Sequence, residues 1–118
     1  MKSKELNLKL LEYVPELQKL FDSVTEWQDG IDTGSTIVVE DVLMVYLKSC
    51  LKNDDKDAVQ KCSNYIEWLS DHYDDEYAGD VLVISIFEYI HFAEDRSQLE
   101  LALGPKAMQK YNSIDWSK

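Results

Sequence analysis

The sequence predicts an all-α fold: a single helical domain over residues 1–118, arranged as a compact array of about six helices packed as antiparallel hairpins. Three observations carry this. Glycine and proline are scarce, 4 and 2 in 118 residues, too few for the many tight turns of a β architecture. Apolar residues return at steps of three and four along most of the chain. The interruptions are short and polar, which suits helix pairs joined by tight connections. A hydrophobic share of 45% supports one real core, and the length is too small for two.

The elements follow in order. Leu6, Leu8, Leu10, Leu11, Val14, Leu17, Leu20, Phe21 and Val24 mark a helical face. Pro15 interrupts it. Proline is tolerated at a first helical position, so one helix is expected to about Tyr13 and a second from about Pro15 to Trp27. A single kinked helix is the alternative. Residues 28–36, QDGIDTGST, form the clearest loop. Residues 40–52 form a helix with Leu43, Tyr46, Leu47, Cys50 and Leu51 on one face, and Glu40 and Asp41 favour its positive N-terminal end. Asn53, Asp54 and Asp55 supply a turn and a cap. Residues 55–71 continue as a helix with Val59, Cys62, Ile66 and Leu69 on one stripe, paired with its predecessor as a hairpin. Residues 80–92, DVLVISIFEYIHF, are ambiguous: the β-branched run suits a buried strand, while length and the lack of a partner strand favour a central helix. A short helix at 97–103, a stop and restart at Gly104-Pro105 and a last helix at 106–114 complete the chain.

The formal net charge is -11, and it is uneven. Residues 1–21 carry Lys2, Lys4, Lys9 and Lys19 against Glu5, Glu12 and Glu16, a net of +1. Residues 62–100 carry Arg96 against ten carboxylates, a net of -9. A field of that sign repels nucleic acid and membrane surfaces and attracts a basic partner. The first residues interleave lysine and glutamate without the apolar run of a secretory signal. The longest apolar stretch, VLVISIF at 81–87, is far too short to span a bilayer. A cytoplasmic location is expected. Cys50 and Cys62 match no CxxC spacing and are expected to be small buried apolar side chains in a reduced compartment.

The densest chemistry lies in residues 70–80, SDHYDDEYAGD, where eleven residues hold five carboxylates, two tyrosines and one histidine. A calcium loop needs glycine at the sixth position and glutamate at the twelfth. Counted from Asp71, those positions are Glu76 and Leu82. Counted from Asp74, the fifth is Ala78 and the twelfth Ser85, and the NDDKD run at 53–57 fails as well. Glu88-x-x-His91 has the spacing of a di-iron ligand pair, but that site needs a second pair and two further glutamates. His72 beside Asp71 would suit acid–base work, yet sequence neighbours on a helix point apart and no serine or cysteine nearby has a nucleophile signature. HExxH, GxSxG, phosphate-cradling and dinucleotide motifs are absent. No catalytic residue, cofactor, metal site or enzymatic activity is expected.

What remains is a surface. Asp74, Asp75 and Glu76 fall at a helix start, where the helix dipole offsets part of their mutual repulsion. That alone would make them ordinary helix-start and solubility charges. The aromatics add a second reading: Tyr65, Trp68, Tyr73 and Tyr77 lie within thirteen residues, beside the carboxylates. Binding hot spots favour tyrosine and tryptophan, and charge complementarity raises association rate and selectivity. The expected partner-binding residues are Asp71, Tyr73, Asp74, Asp75, Glu76, Tyr77 and Asp80. Trp68 also falls near the stripe of Ile66 and Leu69, which would place it in the core, and Trp27 and Trp116 would pack helix ends.

The successive segments VPELQKLF, EDVLMVYLKSCLKND, CSNYIEWLSDHYDDE, VLVISIFEYI and LGPKAMQKYNSIDW resemble a family of small acidic bacterial immunity proteins. These accompany toxins of contact-dependent growth inhibition and related polymorphic toxin systems. The resemblance covers roughly residues 10–116 and rests on overall pattern, with no short diagnostic motif. It implies a cytosolic helical protein that binds the toxin domain of a large secreted effector, usually a nuclease, and blocks its active site. It transfers no site residue. The expected function is an immunity protein, or antitoxin, that covers a cognate basic toxin domain of ribonuclease type. The alternative is a helical adaptor or regulatory subunit with a non-toxin partner. No nucleic acid, membrane or small-molecule substrate is expected.

Overall fold

The structure, a computed structural model, describes residues 1–117; Lys118, the last residue of the expected domain, lies outside them. Among the described residues there are seven helices and no strand. Helix α1 (Ser3–Tyr13) buries Leu6 and Leu10. Val14 leaves the helical region, at φ -130° and ψ 71°, because a following proline disfavours it there. The 3-10 turn Pro15–Leu17 then leads into α2 (Gln18–Thr25). The segment is therefore two helices and not one kinked helix. Trp27 lies beyond α2 and is 87% exposed, so it packs no helix end.

The loop expected at 28–36 is shorter than its composition suggests. Gly30 takes a left-handed φ of 57° and opens the 3-10 turn Gly30–Asp32. Helix α3 then begins at Ser35, running through Ser35–Val38, a wider π-helical stretch Val39–Leu43, and Met44–Lys52. Glu40 and Asp41 thus lie inside the helix, not at its positive end. Asp54, at φ 54°, makes the next turn, and Asp55 caps α4 (Lys56–Asp71) by accepting from the Ala58 amide at 3.2 Å. The ambiguous apolar run is helical: α5 comprises Glu76–Asp80, the π stretch Val81–Glu88 and Tyr89–His91. Helix α6 joins Arg96–Leu99 to the 3-10 turn Glu100–Ala102, and α7 is Pro105–Asn112.

One apolar cluster draws on every helix, with Leu6, Leu47, Tyr65, Ile66, Leu82 and Phe87 among its fully buried members. The rings of Phe87 and Tyr111 meet edge to face at 5.4 Å. Cys50 and Cys62 are buried and unbridged, as expected, and burial pushes the Cys62 thiol up to about 12. Gly104 sits against the Glu67 side chain. A Cβ there would run into the Glu67 carboxylate, which reaches from α4 to accept from the Lys106 and Ala107 amides at 3.2 and 3.1 Å. Glu67 thereby caps α7 across the fold.

A buried polar group joins three helix starts. The Asn7 amide donates to the carbonyls of Ile31 (2.9 Å) and Thr33 (2.7 Å). The Ser35 hydroxyl meets the Asn7 side-chain oxygen at 2.9 Å. The Tyr77 hydroxyl lies 2.6 Å from the Ser3 hydroxyl and accepts from the Ser35 amide at 3.0 Å. Ser35 is the first residue of α3, so Tyr77 satisfies one of the amides that a helix start leaves without a partner. At the other end Lys48 of α3 lies over the Tyr89 ring of α5, 5.0 Å from its centre. Contacts of Ser35 with Tyr77 and of Lys48 with Tyr89 make α3 and α5 parallel neighbours.

Asn7→Ala strands the buried Thr33 carbonyl and the part-buried Ile31 carbonyl and is expected to cost about 1–3 kcal/mol, and Tyr77→Phe about 1–2 kcal/mol. Urea unfolding with an unchanged dependence on urea would measure both; losses below about 0.5 kcal/mol would show that the group does not hold the fold.

Candidate functional site

The segment 71–80 spans the end of α4, a turn and the start of α5, and its acidic side chains fall into two sets. Asp71 pairs with Lys106 at 2.7 Å, on an exposed surface, where such pairs contribute little. Asp75 is held more firmly. It caps α5, accepting from the Ala78 amide at 2.9 Å, and meets the Met1 ammonium at 2.7 Å with only 29% of its side chain exposed. The ammonium, and then the Ala78 amide, hold its carboxyl below the ordinary value of 3.8. Asp74, Glu76 and Asp80 are exposed and enter no hydrogen bond or ion pair among the described residues. Asp75, Glu76, Tyr77 and Asp80 line a shallow hollow with Met1.

The tyrosines of the segment turn inward. Tyr77 is half-buried, with its hydroxyl in the buried polar group described above. Tyr73 is half-buried against the core, with Lys110 4.6 Å above its ring. Gly79 allows this packing, because a Cβ there would come 2.5 Å from the Tyr73 carbonyl oxygen. Trp68 is half-buried between Tyr65, 6.0 Å away, and His72, 4.5 Å away. Of the seven residues expected to bind a partner, Asp74, Glu76 and Asp80 present unengaged carboxylates. Asp71, Tyr73, Asp75 and Tyr77 are engaged within the fold.

The other chemistry weighed from sequence does not assemble. The Nδ1 of His72 donates to the Trp68 carbonyl at 2.8 Å, while Asp71 faces Lys106, so the two form no acid–base pair. His91 stacks on Trp116, with ring centres 4.1 Å apart, and its Nδ1 accepts from Arg96 at 3.3 Å. Trp116 thus packs the end of α5, as expected. Among the described residues no group of three or more His, Cys, Asp or Glu side chains is placed to hold a metal ion, and no helix is long and apolar enough to cross a membrane. Sequence reasoning missed the inward roles of Asp75 and Tyr77. The cap on Ala78 follows the usual aspartate-before-helix pattern and was legible; the contacts with Met1, Ser3 and Ser35 are long-range and were not.

Fold and surface together define an acidic all-α domain with one core and a cluster of unengaged carboxylates at the start of a central helix. The chain belongs to the DUF7674 family, described as a domain of unknown function, whose model matches residues 7–117. No curated protein and no solved structure matches it.

A carboxylate held below its ordinary value stabilises the fold fully above that value, and the contribution is lost as the pH falls through the lower, folded one. Wild type should therefore lose stability on acidification below about pH 4, and Asp75→Asn should lose less over the same range. Thermal melts from about pH 2 to 6 would test this; identical acid slopes would remove Asp75 from the account.

Proposed function

We propose that the chain is an immunity protein, an inhibitor that binds a basic toxin domain of nuclease type and covers its substrate-binding cleft. One observation carries the reading: Asp74, Glu76 and Asp80 are grouped, exposed and unengaged, in a chain of net charge -11. Unneutralised carboxylates this close repel one another in the free protein. A cationic cleft relieves that repulsion, and the carboxylates take the places of nucleic-acid phosphates. Steering by charge also speeds capture of the toxin. The resemblance to bacterial immunity proteins points the same way.

The test is co-expression with the toxin domain encoded by the neighbouring reading frame. Cells are expected to survive only when the chain is present, and the two proteins to copurify. Charge reversal should use Asp74→Lys with Asp80→Lys, leaving Asp75, whose loss would disturb the α5 cap. Close interfacial charge pairs couple by about 1.5–7 kcal/mol, so the double variant is expected to weaken binding at low salt at least tenfold. No protection and no association would end the reading. Tight association with a non-toxic basic protein would replace it with the adaptor alternative.

A further inference from the structure

Most exposed residues of α3 and α5 follow a four-residue step. On α5 they are Glu76, Asp80, Ile84 and Glu88, continued by Phe92 just past its end; on α3 they are Ile37, Asp41, Val45 and Ser49, with Lys52 also exposed in its last turn. In an α-helix such a line drifts sideways by about 40° at each step. Each helix, however, carries a π stretch, Val39–Leu43 and Val81–Glu88, and the wider turn keeps the line straighter. The two π stretches pack against each other. Such stretches are rare and occur often at functional sites.

Both lines face the same way. Tyr77 and Tyr89, one position along from the exposed line of α5, meet Ser35 and Lys48 of α3. Lys48 in turn lies one position off the exposed line of α3. For two parallel right-handed helices, these offsets put both exposed lines on the same side of the seam. The resulting face carries four of the seven large apolar side chains that the described residues expose: Ile37 (36%), Val45 (50%), Ile84 (49%) and Phe92 (74%). Within residues 35–52 and 76–92 the acidic side chains are Glu40, Asp41, Glu76, Asp80 and Glu88, against Lys48 and, in the last turn of α3, Lys52. Lys48 is already engaged over Tyr89.

We propose that the α3–α5 face is the docking surface for the basic protein partner, with Val45 and Ile84 as its apolar anchors and Asp41, Asp80 and Glu88 as the charged rim. The choice of partner class rests on the proposed function and on this charge complementarity; the location of the surface rests on the two helices. Exposed apolar anchors ringed by charge match the anatomy of a binding hot spot. Glu76 and Asp80 belong both to this face and to the acidic segment, so the surface continues from the start of α5 along its length.

The discriminating variants are Val45→Glu and Ile84→Glu. Each makes the chain more acidic and removes an apolar contact. Binding driven by charge alone would strengthen, whereas docking on this face is expected to weaken by about 30-fold for each. The first probe is a synthetic helical peptide with one leucine face and one arginine face, titrated into the isotope-labelled full chain by nuclear magnetic resonance. Shifts are expected at Ile37, Val45, Ile84 and Phe92, with Ile84→Ser as the variant if a glutamate disturbs the fold. Absence of shifts on this face, shifts spread evenly over the acidic surface, or unchanged or tighter binding by the glutamate variants would overturn the inference. The second probe is the neighbouring-frame toxin domain. If it binds wild type and the glutamate variants equally, the docking face falls and the proposed function stands. If it binds neither while the peptide maps to α3 and α5, the face stands and the proposed function falls.

Discussion

Two peptide carbonyls, that of Thr33 buried and that of Ile31 part-buried, are met by a single side-chain amide, that of Asn7. Buried carbonyls without a donor are costly, so this pairing fixes where the turn after α2 can run. It delivers Ser35 to the Tyr77 hydroxyl, and that contact sets the start of α3 against the start of α5. The parallel alignment of the two helices follows. So does the side of the molecule on which their exposed residues appear. A polar group of four side chains, Ser3, Asn7, Ser35 and Tyr77, thus positions an apolar core that has no directional preference of its own.

The π stretches show how that alignment is accommodated. Ala78, Leu82, Ile86 and Ile90 are all fully buried at four-residue steps. A regular α-helix would carry such a line gradually around its axis and expose part of it. The wider turn over Val81–Glu88 holds the line against the core and, as the same geometric consequence, holds Glu76, Asp80, Ile84 and Glu88 on the opposite side. Core burial and the outward face are therefore two aspects of one helical geometry.

The carboxylates of SDHYDDEYAGD divide for a local and a distant reason. Asp75 precedes the helix and caps it, and the Met1 ammonium then closes on it. Asp71 meets Lys106 because Glu67, one turn earlier on α4, holds the start of α7 beside that helix. Asp74, Glu76 and Asp80 enter no such bond or ion pair among the described residues. Their like charges fall within seven residues of one another, which is the charge pattern the proposed basic partner would neutralise.

The all-α class, the hairpin of α3 and α4, the cap at Asp55 and the restart at Pro105 were legible in the sequence, because spacing, caps and punctuation are local signals. The division of residues 1–25 into two helices and a helix for the run after Asp80 were the favoured readings and the observed ones, although proline at a helix start and a β-branched apolar run each suit two structures. The early start of α3 was hidden, because Ser35 is held by Asn7 and Tyr77, residues 28 and 42 positions away. The proposed docking face was hidden for the same reason: Ile37, Val45 and Ile84 come to one side of the molecule only when the polar group aligns their helices. Composition and periodicity by themselves determined that the chain forms an acidic helical domain, since apolar spacing and net charge are properties of the chain. Which carboxylates stay unengaged, and which apolar side chains stay outside the core, was decided only by tertiary structure, because both depend on long-range hydrogen bonds that no local pattern records.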